Sequence, residues 1–183
     1  METVLSTDRQ QRFTALAHDV GPALRRYVVR RTDPDSVDDV LSDAFLVLWR
    51  RLDDVPRDDP LPWCYGVARG CLANSRRASL RRERLAVRLT SVRHDEAPDA
   101  ADVHEALARL SEQDRELVRL WAWEQLQPHE IATVLAITPN AVSIRLHRAR
   151  RKLAELLDDV RKEDVRKTDA APGQEQGEER RSG

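Results

Sequence analysis

Apolar residues recur at intervals of three and four along almost the whole chain, and no convincing strand-like alternation interrupts them. The pattern predicts an all-α protein. A first helix over 9–31 carries Phe13, Leu16, Ala17, Val20, Leu24, Tyr27 and Val28 on its inner side, with Gly21-Pro22 as a point of bending or breakage. A second, over 35–52, turns Val37, Leu41, Ala44, Phe45, Leu48 and Leu52 inward and Asp38, Asp39, Ser42, Asp43 and Leu46 outward. After a proline-containing loop, a third over 61–84 places Trp63, Val67, Cys71 and Leu72 inside and gathers arginines towards its end.

The pattern fades over 85–102 and resumes near Asp102. There Ser111 precedes Glu112-Gln113-Asp114 as a helix-capping signal. Residues 127–157 then describe two helices and a tight turn. Leu126, Ile131, Val134 and Leu135 line one face of the first, Ala136-Ile137-Thr138 forms the turn, and Thr138-Pro139 starts the second as hydroxyl cap and first-turn proline. On that second helix Val142, Leu146, Ala149 and Leu153 face inward. At about 100° per residue, Asn140, Ile144, His147 and Arg151 face outward, flanked by Ser143 and Arg148, with Arg145 nearer the core edge. Arg145, Arg148, Arg150, Arg151 and Lys152 have no acid among them over 138–153. A helix-turn-helix with a basic second helix fits the DNA major groove, its early residues reading base edges and its later arginines holding phosphates.

Five segments follow from this reading: an extension over 1–9, a helical domain over 10–84, a flexible linker over 85–102, a helix-turn-helix domain over 103–160, and a polar tail over 161–183 expected to be disordered. Charge sharpens the picture. The whole chain is nearly neutral, with 31 basic and 32 acidic residues, so overall balance does not announce nucleic acid. Locally, 69–93 holds eight arginines against Glu83, whereas 33–59 holds nine aspartates against three arginines. Such polarity suggests two different partners. Cys64 and Cys71 lack metal-type spacing and are expected as reduced, buried thiols of a cytoplasmic protein. Glycine is scarce, no catalytic arrangement stands out, and no apolar run reaches membrane length. The expectation is a protein that is not an enzyme, carries no cofactor or metal and does not insert into a membrane.

Three blocks, in order, resemble the extracytoplasmic-function (ECF) group of bacterial RNA polymerase sigma factors, within the sigma-70 superfamily. DSVDDVLSDAFLVLWRRLDDV resembles the group's core-binding segment, PLPWCYGVARGCLANSRRASLRR its minus-10 segment, and LARLSEQDRELVRLWAWEQLQPHEIATVLAITPNAVSIRLHRARRKLAELL its minus-35 domain. The resemblance covers residues 10–157.

It implies that the acidic helix docks on the clamp helices of the largest subunit of core RNA polymerase, with Asp38, Asp39, Asp43 and Trp49 as candidates. It implies that the 53–62 loop and the next helix capture an unpaired base of the melted minus-10 element, with Arg69, Asn74, Arg76, Arg77 and Arg81 on promoter DNA. Thr138, Asn140, Ser143, Ile144, Arg145, His147 and Arg148 are the corresponding minus-35 candidates. An anti-sigma factor is implied as inhibitor. The chain departs from the group's pattern at Ser42-Asp43 (often Gln-Glu), Gly66 (arginine), Gly70 (asparagine), Gln125 and Ala136 (glycine) and Ser143 (lysine or arginine). Two other readings stand beside this one: a free-standing helix-turn-helix regulator, and a sigma-like interaction module that no longer initiates transcription.

Overall fold

The computed structural model describes the backbone of residues 2–85 and 98–169 and the side chains of 7–81 and 102–163. Seven α-helices and two short 3-10 turns make up these residues, with no strand among them. The first three helices are α1 (Glu2–Val29), α2 (Val37–Arg50) and α3 (Pro60–Leu85). The other four are α4 (Pro98–Arg109), α5 (Glu112–Ala122), α6 (Pro128–Leu135) and α7 (Pro139–Asp169).

Helices α1, α2 and α3 pack mutually. Val20, Leu24, Tyr27 and Val28 of α1 meet Val37, Val40, Leu41, Ala44 and Leu48 of α2 and Cys64, Ala68, Cys71 and Leu72 of α3 in one buried cluster. Helix α1 does not break at Gly21-Pro22. Buried Val20 on one side and Ala23 and Leu24 on the other hold it across the site where proline removes a hydrogen bond. Gly21 faces the Phe45 ring, which lies 3.7 Å from where a Cβ would stand. Arg9 and Arg12 tie α1 to the 3-10 turn after α2 through Asp53 (2.7 and 3.2 Å), and their guanidinium groups hold its carboxyl below the usual carboxylate range.

The buried stripe of α3 is rotated from the expected one. Cys64, Tyr65, Ala68, Cys71 and Leu72 are buried, whereas Trp63 and Val67 are only partly so. The reason is a third neighbour: α3 packs against α6 as well as against α1 and α2. Cys64 and Cys71 are buried free thiols. Burial pushes the Cys64 thiol up to about 12.

In the second half, α7 packs on α4, α5 and α6. Ser111 caps α5 by accepting from the Asp114 amide (3.2 Å) and donating to its carboxylate (2.8 Å). Gln125 (φ 56°) and Ala136 (φ 53°) adopt the left-handed conformation that favours glycine. Ala136 thereby ends α6 and turns the chain into α7. The last helix is longer than expected. It continues through 161–169, into the stretch read as tail, because Val160 is fully buried and Glu163 pairs with Arg109 of α4 (2.7 Å). Helix α4 begins at Pro98, inside the stretch read as linker. The rest of that linker over 86–97, and the tail over 170–183, lie outside the described residues.

Beside the packing of α3 on α6, the two halves meet along a polar seam. Arg31, at the end of α1, is 7 % exposed and reaches two carboxylates of the second half: Glu116 on α5 (3.0 Å) and Glu124 beyond it (3.0 Å). Tyr27 donates its hydroxyl to Glu116 (2.9 Å), and its ring lies under the Arg31 guanidinium at 3.6 Å. Arg30 adds a contact to Glu124 (3.2 Å). Burial alone pulls Arg31 down, but Glu116, Tyr27 and Glu124 overcome it and hold the guanidinium above its ordinary value.

Candidate nucleic-acid interface

The start of α7 is presented to solvent by its own hydrophobic stripe. Val142, Leu146 and Ala149 are buried. That fixes the helix rotation and leaves Thr138, Asn140, Ser143, Ile144, Arg145, His147 and Arg148 exposed. Thr138 caps the helix by accepting from the Ala141 amide (3.2 Å). Ser143 turns its hydroxyl back to the Pro139 carbonyl (3.1 Å). Ile144 is 46 % exposed, an apolar group on a polar face, suited to a thymine methyl in a major groove. Arg145, expected nearer the core edge, is exposed with the others.

On α2, Asp38, Asp39 and Asp43 are exposed on one face together with Leu46. Asp38 pairs with Arg25 at 2.9 Å. Trp49, one turn beyond Leu46, is half-buried against α1, edge-on to Phe13 at 5.2 Å and beneath the Arg9 guanidinium at 5.3 Å.

On α3, Arg69, Asn74, Arg76, Arg77 and Arg81 are exposed. Arg77 donates to Asn74 (2.6 Å), fixing the two as one polar unit. Arg76 bridges the halves, donating to Glu112 of α5 (2.9 Å) and to the Arg31 carbonyl (3.0 Å). Arg69 and Arg76 share a cavity of about 700 Å³ with Arg145 of α7, so candidates for both DNA elements border one space. Arg119 lines it too, and burial followed by the nearby Arg31 charge lowers its guanidinium below the ordinary value.

Sequence reasoning missed the Tyr27–Arg31–Glu116–Glu124 group. Long charged side chains read as solvated surface in one dimension, and only the proximity of two separate segments turns them into a buried cluster. Among the described residues no group of three or more His, Cys, Asp or Glu could hold a metal ion, and no helix is long and apolar enough to cross a membrane.

Comparison with known proteins agrees with these elements. Residues 16–84 match the model of Sigma-70 region 2 and residues 100–153 that of Sigma-70, region 4. The chain is 30 % identical over 175 residues to the RNA polymerase sigma factor CnrH of Cupriavidus metallidurans, a match covering 84 % of this chain and 90 % of that one. It is 30 % identical over 163 residues to the RNA polymerase sigma factor NccH of Alcaligenes xylosoxydans xylosoxydans, covering 81 % and 88 %. Among solved structures it is similar to CnrH in complex with the cytosolic domain of CnrY (27 % identity, TM-score 0.59, 85 % and 96 % covered). The sigma factor RpoE, in complex with the anti-sigma factor NepR from Bartonella quintana, shares the fold at 24 % identity (TM-score 0.65, 80 % and 96 % covered). With region 2 and region 4 in order on one helical chain, and curated relatives matched over most of their length, this protein belongs to the ECF group of sigma-70-family RNA polymerase sigma factors.

Proposed function

We propose that this chain directs core RNA polymerase to specific promoters in the cytoplasm, without covalent chemistry of its own and without a cofactor. The observation that carries the reading is the grouping of three exposed chemical faces on one chain. These are the aspartate face of α2, the arginine face of α3 and the outward side of α7. In this reading residues 10–84 form the polymerase-binding and minus-10 unit and residues 103–160 the minus-35 unit. Asp38, Asp39 and Asp43 dock on the clamp helices of the largest subunit, with Trp49 buttressing the helix that carries them. Arg69, Asn74, Arg76, Arg77 and Arg81 hold the melted minus-10 strand. Extracting a base there costs a few kcal/mol, offset by a pocket and by phosphate contacts. Thr138, Asn140, Ser143, Ile144, Arg145, His147 and Arg148 meet the minus-35 duplex.

An anti-sigma protein is the expected inhibitor, since the sigma factor RpoE, which shares this fold, is seen with the anti-sigma factor NepR. The test is transcription in vitro by core polymerase reconstituted with this chain on fragmented genomic DNA, with the transcripts sequenced. Start sites sharing two upstream elements are expected. Absence of chain-dependent start sites, together with failure to bind core polymerase, would overturn the reading.

A further inference from the structure

We propose that the cavity bordered by α3, α5 and the turn from α6 into α7 is a binding site for a nucleoside polyphosphate. Nothing in the promoter reading calls for such a ligand, and the site stands without that reading.

Charge is the first observation. The cavity holds about 700 Å³, and six of its lining residues are arginines against three that carry carboxylates. Those carboxylates are already engaged: Glu112 pairs with Arg76, Glu116 pairs with Arg31, and Asp114 accepts from the Ser111 hydroxyl. Arg69, Arg119 and Arg145 have no carboxylate partner among the described residues. An excess of positive charge thus faces one enclosed space.

The second observation is a pair of unsatisfied donors. Arg31 Nη2 and Arg119 Nε are buried and have no hydrogen-bond partner among the described residues. The Arg31 side chain is only 2 % exposed. Buried N–H groups are costly to leave unpaired, and both side chains line the cavity. Burial, and then the Arg31 charge, hold the Arg119 guanidinium below its ordinary value. A bound polyphosphate would accept from both donors and offset the repulsion between the two guanidinium groups.

Room and an apolar wall are the third. Gly70 lines the cavity, and nothing lies within 4 Å of where its Cβ would stand. Leu72, Leu117, Leu135 and Ile137 supply apolar surface beside the arginines. Small-molecule sites combine such walls with a few charged groups. Inorganic phosphate would leave the wall unused, whereas a nucleoside covers it.

The test is equilibrium binding of ATP and of GTP, each carrying a fluorescent N-methylanthraniloyl group on its ribose, to the full chain. Saturable micromolar binding of at least one is expected. The unlabelled nucleotide should displace it, pyrophosphate should do so at least about tenfold less well, and the free nucleoside should not. Gly70→Glu builds a carboxylate into the open space, and glutamate is a better helix former than glycine. Arg119→Gln removes one of the unsatisfied donors. Both variants are expected to weaken binding at least about tenfold. Arg161→Gln, an equal loss of charge at an exposed position outside the cavity, should change it less than about twofold.

Failure of both labelled nucleotides to saturate would overturn the proposal. So would undiminished binding by Gly70→Glu with its helices intact by circular dichroism, or displacement by pyrophosphate as effective as by the nucleotide. A single-stranded oligonucleotide that binds where neither nucleotide does would overturn it too, and would assign the cavity to nucleic acid. None of these readouts depends on transcription. A chain that binds the nucleotide but starts no transcripts would keep this site and lose only the promoter reading.

Discussion

Single side chains in this molecule do different work according to what surrounds them. Arg148 is exposed on α7, on the face proposed above for the minus-35 duplex. Arg148→Ala is expected to weaken binding to duplexes of every sequence and to reduce the slope of log affinity against log salt by about 1, measured by titrations at several salt concentrations. Ser143 differs in kind, since its hydroxyl is turned to the Pro139 carbonyl and offers no paired donors to a guanine edge. An arginine–guanine pair supplies about 1–3 kcal/mol of discrimination, so under the proposed reading this helix takes its selectivity from the residues beside Ser143. Cys64 is the opposite extreme. With burial holding its thiol near 12, the native protein at pH 8 is expected to react slowly with a disulfide reagent at this position and rapidly once denatured. Fast labelling of Cys64 in the folded state would contradict the packing around it.

At the level of elements, the helices were legible where the stripe that buries them packs within their own half of the chain. The stripes of α2 and α7 and the caps at Ser111 and Thr138 lie where their sequence places them. The reading drifted where packing from the other half of the chain, or burial on both sides of a breaking signal, decides the outcome. Helix α3, packed on three others, buries Tyr65 and Ala68, where the sequence pattern favours Trp63 and Val67. Helix α1 continues through Gly21-Pro22 because burial on both sides outweighs a local breaking signal. Between α6 and α7 the sequence does show an irregularity, alanine where the pattern of the resembling group has glycine, and the left-handed φ of 53° at Ala136 gives it meaning. Ala136→Gly is expected to raise stability by about 1 kcal/mol, by removing the Cβ clash. A denaturant midpoint that fails to rise would show that the turn carries no strain.

For the whole molecule, the relation between the halves was the illegible part, because it rests on the packing of α3 on α6 and on a buried cluster of charged residues. Arg31, Glu116 and Glu124 carry no periodicity and no motif, and their burial exists only once α1 and α5 are together. Removing a partner from such a buried pair costs about 3–5 kcal/mol. The Tyr27 hydroxyl gives this seam a dependence on pH. Burial first, and then Glu116, raise its folded-state pKa well above the ordinary tyrosine value of about 10. Its contribution is therefore complete below about pH 10 and is lost as pH rises through the folded value. Tyr27→Phe, which loses a hydrogen bond to a carboxylate, is expected to be about 1.5–3 kcal/mol less stable at neutral pH, and that deficit should shrink above about pH 10. Denaturation curves at pH 7, 9 and 11 measure both; a deficit that grows with alkali would contradict the hydrogen bond. The unbroken run of α7 has a mechanical corollary. About 30 Å of continuous helix separates Asn140 from buried Val160, where α7 is braced by α4. With Val160 as fulcrum, each degree of tilt swings Asn140 by about 0.5 Å, so trimming a methyl group there is expected to shift the face proposed for minus-35 DNA without touching any residue assigned to it.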